Sequence, residues 1–285
     1  MPDDVPATHP VAVLDHVAVG SRTLAPGWEL FGGLLGGRWA YGANSPGFWW
    51  GQVRYSAGPK VELLRPTGGT DAAFLERFLA ERGPGFHHLN FIVPAIEGTL
   101  AKVRALGIEP VGVRLQNPRW KEAFLHPGDA YGTVIQVAEQ ASSPPTSSPP
   151  AELGQPGPSC ALSLIEQRVA DVDGAVRLFQ EVLDGTVVSR CDTAGGSAEL
   201  SWPNGTRLRL VRSAADRPAS PDGPDSPDSP DSLDSPASVD SPRAGQGIAY
   251  LQFTRDAGTF GAADVTRTAA LSRRLGVSVR LGEAN

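Results

Sequence analysis

Four polar residues set among apolar neighbours have the types and the spacing to do chemistry. His16 stands in Val13-Leu14-Asp15-His16-Val17-Ala18-Val19, and His88 in Gly85-Phe86-His87-His88-Leu89-Asn90-Phe91, 72 residues later. Glu62, in Lys60-Val61-Glu62-Leu63-Leu64, and Gln136, in Val134-Ile135-Gln136-Val137, are 74 apart. Within each pair of segments His16 precedes Glu62 by 46 residues and His88 precedes Gln136 by 48. Two imidazole nitrogens, a carboxylate and an amide oxygen suit a divalent ion that keeps open positions for water or substrate. Singly, each residue has a plainer reading. A lone strand histidine is commonly a satisfied structural residue, and a glutamate between Val and Leu faces solvent on simple alternation. The recurrence of the set at matching places is what points to one shared cation.

The elements needed to position the set repeat as well. Val11 to Gly20 reads as a strand. Pro26 opens a helix with Leu30, Phe31, Leu34 and Leu35 on one face, stopped by Gly36-Gly37. Strands follow around Trp39–Tyr41, Phe48–Tyr55 and Lys60–Leu64, giving βαβββ. After a connecting helix over Asp71–Arg82 the order restarts. A strand spans Phe86–Val93, a helical stripe runs through Ile96, Leu100, Val103 and Leu106, and strands lie near Pro110–Leu115, Ala123–His126 and Thr133–Ala138. The order recurs from Leu162, with Asp171 as a helix cap, and starts a fourth time at Gly247, where two strands are missing. The expected architecture is α+β: a first domain over residues 11–140 built of two βαβββ modules, a Pro/Ser-rich linker over 141–159, and a second, degenerate domain over 160–285.

Composition narrows the function classes. At 285 residues the chain can bury a sizeable core, and its net charge is −6 with no basic stripe, which argues against nucleic acid. No apolar run approaches the ~20 residues of a membrane span. The N-terminus, Met1-Pro2-Asp3-Asp4, lacks the features of an export signal, so a cytoplasmic protein is expected. Cys160 and Cys191 are read as two thiols. Residues 214–246 carry Asp-Ser-Pro units, and the stretch 214–243 alone holds seven Asp against two Arg; so few apolar residues predict disorder. All five histidines precede residue 127, so no metal is expected in the second half, which is read as a pseudo-partner completing a dimer-like assembly within one chain. A small-molecule substrate is the expected partner, and homo-oligomerisation is left open.

Taken together, Leu14-Asp15-His16-Val17-Ala18-Val19, Gly85-Phe86-His87-His88-Leu89-Asn90-Phe91 and the ending His126-Pro127-Gly128-Asp129-Ala130-Tyr131-Gly132-Thr133-Val134-Ile135-Gln136-Val137 resemble the vicinal oxygen chelate superfamily of glyoxalases, extradiol dioxygenases and antibiotic-resistance binding proteins. The doubled histidine and the Lys-Val-Glu-Leu-Leu-Arg-Pro run most resemble its methylmalonyl-CoA epimerases. The resemblance covers 11–140 well and 160–285 as fold pattern only. It implies a divalent metal, with cobalt, manganese, zinc, nickel and iron not distinguished, held by His16, Glu62, His88 and Gln136, the second histidine of the pair being the ligand. It implies an isomerase or lyase, epimerase-like or glyoxalase-like, acting on a small carbonyl or acyl-CoA substrate through an enolate, with Glu62 as the candidate catalytic base. This sequence departs from the epimerase pattern in two ways. The Gln and Glu of the two closing strands look exchanged, and the stretch Trp49-Trp50-Gly51-Gln52, near which epimerases carry a further glutamate, holds Gln52 at best and no acid. No second base is assigned from sequence. Arg114, Arg119 and Lys121 are candidates to meet an anionic substrate, against the simpler reading of a solvated charged loop. An extradiol-type dioxygenase and a non-catalytic binding protein of the same fold remain alternatives; Gln136 on the last strand speaks against the first.

Overall fold

A computed structural model describes residues 10–69, 72–141, 147–192, 196–213 and 245–282. The first sheet has eight strands: β1 (Val13–Gly20), β2 (Arg38–Ser45), β3 (Phe48–Arg54), β4 (Lys60–Pro66), β5 (Gly85–Ile92), β6 (Val111–Arg114), β7 (Trp120–Leu125) and β8 (Val134–Gln140), in the order β2-β3-β4-β1-β5-β8-β7-β6. That order is two copies of one pattern joined back to back. Each opening strand pairs in parallel with its own closing strand, β1 with β4 and β5 with β8, and β1 pairs antiparallel with β5. The second sheet has six strands: β9 (Cys160–Val169), β10 (Thr186–Cys191), β11 (Ser197–Ser201), β12 (Arg207–Arg212), β13 (Gly247–Arg255) and β14 (Val279–Gly282), in the order β10-β11-β12-β9-β13-β14. This is α+β with tandem βαβββ modules, as expected; among the described residues the fourth module shows β13 and one further strand, β14.

The helices are α1 (Ala25–Gly27), α2 (Ala73–Arg82), α3 (Ile96–Ala105), α4 (Val172–Arg177) and α5 (Ala262–Leu275). The first and third modules differ from the plain helices expected. α1 runs into a π-helical stretch over Trp28–Leu34 and α4 into another over Leu178–Val182, closed by Leu35 N–H to Leu30 O at 2.9 Å and Leu183 N–H to Leu178 O at 3.3 Å. The chain then turns in the same way at both places. Gly36 and Asp184 have φ of 68° and 54°, and the next residue's N–H returns to Phe31 O or Phe179 O. A left-handed residue with this return bond is how a helix end satisfies its orphan carbonyls. Asp184 pays the steric cost that glycine avoids, and its carboxylate accepts from Ala12 N–H at 2.9 Å, tying the two halves.

Alternation along the strands sends Val17, Val61, Leu89, Phe91, Ile135 and Val137 into the core. One apolar cluster runs through both sheets: Phe31 lies 6.4 Å from Phe253, and Phe91 lies 5.9 Å from Phe179 and 5.4 Å from Trp202, centroid to centroid. The described part of the connecting segment, 147–159, lies against the first module. Ser147 accepts from Trp39 Nε1 at 2.7 Å and from Gly42 N–H at 3.0 Å, and Leu153 is buried. Among the described residues no helix is long and apolar enough to cross a membrane. The N-terminal tail and residues 214–244 of the Asp-Ser-Pro insert lie outside the described residues.

Candidate metal centre

On the face of the first sheet opposite this core, register brings the opening and closing strands of the two modules together. Ala18 of β1 pairs with Glu62 on one side and His88 on the other, while His16, two residues back, lies on the same side of the sheet. His16 Nε2 comes within 3.6 Å and His88 Nε2 within 3.9 Å of Glu62 Oε2. One ligand atom from each of the three lies within 4.8 Å of the others, and all three residues are buried. Both Nε2 atoms are buried without a hydrogen-bond partner. Such orphaned groups are costly unless something accepts their lone pairs, so the residues fit a cation.

Neighbours set which nitrogen faces the centre. His16 Nδ1 lies 2.8 Å from Asp15 Oδ2, and Asp15 is in turn ion-paired with Lys60. A Nδ1–H donated to a carboxylate leaves the Nε2 lone pair free for metal. Burial alone would raise the Asp15 carboxyl; the Lys60 ammonium and the bonds from His16 and Lys60 outweigh it and hold the group well below the usual carboxylate range. His88 Nδ1 is engaged by His87 Nδ1 at 2.8 Å, and the His87 ring packs on Phe78 and Phe74, so α2 steadies the second ligand through its neighbour. Burial, with the adjacent His87 and His16 rings, pushes His88 well below its ordinary value, which keeps it neutral and able to ligate. Asp15→Asn is expected to weaken metal affinity by about 10–100-fold, read by competition with a chelating dye; unchanged affinity would remove Asp15 from the site.

Glu62 is held from its other oxygen, Gln52 Nε2 donating to Oε1 at 2.8 Å. Burial pushes its carboxyl above the ordinary value of 4.5, against the opposing influence of His16 and Gln52. The sign for stability follows. In the metal-free protein the folded state keeps a proton that the unfolded chain has released, so stability falls as pH rises from about 4.5 through the raised value. Glu62→Gln is therefore expected to raise the melting temperature of chelator-treated protein at pH 7 while abolishing any stabilisation by added divalent metal. A variant that melts lower without metal would contradict this.

His16, Glu62 and His88 converge. Gln136 adjoins His88, but its amide nitrogen donates to Glu122 Oε2 at 2.8 Å. Glu122 was not singled out from sequence. The strand β7 begins at Trp120, three residues before the expected start at Ala123, and this places Glu122 on the sheet, its side chain 15% exposed, rather than in a loop. It also accepts from Trp120 Nε1 at 2.9 Å and pairs with Arg114 at 3.3 Å. Asn90 was missed too. It lies opposite both His16 and Gln136, fully buried, with neither amide atom partnered. Of the three basic candidates, Lys121 is engaged by Glu139 at 2.9 Å and Glu97 at 3.3 Å, Arg114 by Glu122, and Arg119 is exposed.

A sequence profile described as Glyoxalase/Bleomycin resistance protein/Dioxygenase superfamily matches residues 15–124. Among solved structures, a variant of 4-hydroxymandelate synthase from Streptomyces coelicolor is 12% identical, with a TM-score of 0.56 over 93% of this chain and 76% of that one. Methylmalonyl-CoA epimerase from Mycobacterium tuberculosis is 24% identical over 45% of this chain and 87% of its own, at a TM-score of 0.39. The Streptomyces coelicolor methylmalonyl-CoA epimerase is 20% identical over 45% and 97%, at 0.41. A search of curated proteins finds no match. Residues 15–124, which carry His16, Glu62 and His88, thus resemble the glyoxalase/bleomycin resistance protein/dioxygenase superfamily.

Proposed function

We propose that the protein is a metal-dependent isomerase of the epimerase type, which moves a proton at the carbon beside a carbonyl in a small carbonyl or acyl-CoA substrate. The observation that carries this reading is the pair of buried, unpartnered Nε2 atoms of His16 and His88 about Glu62 Oε2. These three side chains would hold the ion, with Gln136 as a fourth ligand through its amide oxygen. When bound, a divalent ion supplies positive charge for the substrate oxygen on which negative charge develops.

Epimerisation needs a proton taken from one face and returned to the other, so two positioned groups are required. Glu62 is the first; burial keeps it basic. Glu122 is the second. It stands opposite Ala138, two residues past Gln136, and the matching place in the first module is Trp50 opposite Leu64. The epimerase pattern has its further acid in the first module and its acidic ligand in the second. Here the acidic ligand stands in the first module and the other carboxylate in the second, two residues before Phe124, the register equivalent of Gln52. The test is incubation of metal-loaded protein with methylmalonyl-CoA in deuterium oxide. Deuterium at the α-carbon supports the reading; no exchange with metal bound removes it.

A dioxygenase is the second reading, favoured by one feature: two histidines and one carboxylate are the donor set of many non-haem iron oxygenases. Oxygen uptake with catechols by the iron-loaded protein would establish it in place of the first.

A further inference from the structure

The second sheet repeats the register of the metal centre with the charges reversed. In the first sheet Ala18 pairs with both Glu62 and His88. In the second, Glu166 pairs with both Arg209 and Tyr250. Arg209 therefore stands where Glu62 does and Tyr250 where His88 does; Leu164, two residues before Glu166, stands where His16 does. The supporting residue changes in step. Glu199 pairs with Arg209 as Gln52 pairs with Glu62. A carboxylate steadied by an amide has become a guanidinium steadied by a carboxylate.

Glu199 is 4% exposed. Its Oε2 accepts from Arg209 Nη2 at 3.0 Å and Nε at 3.3 Å, and Arg207 is ion-paired with Oε1. One buried carboxylate thus faces two guanidinium groups, where a plain structural pair needs only one. Among the neighbouring charges on this face, Glu166 accepts from the Tyr250 hydroxyl at 2.9 Å and Arg280 stacks 3.6 Å from the Tyr250 ring centroid, while exposed Arg168 lies two residues beyond Glu166; none of these adds a carboxylate beyond Glu166 and Glu199 to offset Arg207 and Arg209. These two arginines open onto a cavity of about 190 Å³ that Glu199 also lines, completed by Ser163, Leu164, Gln252 and Thr254. At roughly 30 Å³ per water that is room for about six waters. The arginine side chains are 52% and 41% exposed, so the N–H groups that Glu199 leaves unused are reachable from solvent. Leu164 in the place of a histidine removes a donor that a metal would need.

We infer that this cavity is an anion-binding pocket of the second sheet, metal-free, taking a small ligand with a carboxylate or phosphate group on Arg207 and Arg209, with Gln252 and Thr254 as neutral partners. The shared chemistry is an oxyanion received by guanidinium forks. The pocket stands apart from the His16–Glu62–His88 centre and does not depend on what that centre does.

The experiment is calorimetric titration of the full-length protein, freed of metal by chelation and then of chelator by gel filtration, with inorganic phosphate and separately with succinate at low ionic strength. Saturable binding of one ligand per chain is expected for at least one probe. Tighter phosphate binding assigns a phosphate-bearing ligand, and tighter succinate binding a carboxylate-bearing one. Arg207→Gln, made on a half-exposed side chain, is expected to weaken binding roughly tenfold, the worth of a hydrogen bond to a charged group. The double variant Arg209→Gln with Glu199→Gln leaves no buried carboxylate unpaired and is expected to weaken it at least as much. No saturable binding of either probe, or binding unchanged by Arg207→Gln and by the double variant, overturns the assignment and reduces Arg207, Arg209 and Glu199 to a structural ladder.

Discussion

His88→Ala is expected to strip the protein of its metal: about one equivalent of divalent ion per chain in the parent and background in the variant, by elemental analysis after dialysis. Three observations carry the size of the effect. His88 supplies one of three converging donors, its Nε2 has no other partner, and Glu62 Oε2 lies 3.9 Å away in a buried setting. Removing the ring leaves a buried carboxylate with fewer groups to offset it. A second readout guards against a merely unfolded variant. Metal at 1,000 times its dissociation constant stabilises a folded protein by about 4 kcal/mol, so the parent should melt higher with metal than without and the variant should melt alike in both. Tyr250→Ala, in the equivalent place of the second sheet, is expected to keep the metal. Retention by His88→Ala at the parent level would disprove the centre.

Glu122→Gln is expected to lower deuterium exchange by about 10²–10⁴-fold while metal content stays at the parent level, the usual worth of a positioned acid or base. The substitution keeps shape and the capacity to accept from Gln136 and Trp120 Nε1, at 2.8 and 2.9 Å, so lost activity would report the proton-carrying function and not the packing. The Arg114 ion pair, at 3.3 Å on an exposed guanidinium, contributes little by comparison. Exchange at the parent rate would remove Glu122 from the mechanism and return the search for a second group to the face around Asn90.

Periodicity makes most of the scaffold legible in the sequence. The two opening strands, the stripe Ile96-Leu100-Val103 and the glycine stops each obey a local rule, and the order βαβββ followed from placing them in sequence. The convergence of His16, Glu62 and His88 was legible for the same reason: equal spacing in equal modules implies equal places. What escaped were groups that act through neighbours. Asp15 and Gln52 look like ordinary strand residues until their bonds to His16 and Glu62 are seen. Glu122 hid behind a strand boundary, because Trp120-Lys121-Glu122 carries two charges and reads as loop, although Ala123 and Leu125 set an alternation that reaches back through it. Asn90 shares the His88 side by simple alternation and was legible in principle. The π-helical turns were not, since the stripe Leu30-Phe31-Leu34 is compatible with either winding.

The apolar cluster that runs from Phe31 to Phe253 and from Phe91 to Phe179 and Trp202 couples the two sheets mechanically. Severing the polypeptide within 147–159 would bare an aromatic facet on each fragment, so the pieces should stick to each other or precipitate rather than behave as independent bodies. A calorimetric scan of the intact chain should accordingly show a single cooperative endotherm, and ligand occupancy in either half should be felt as thermal protection of the other.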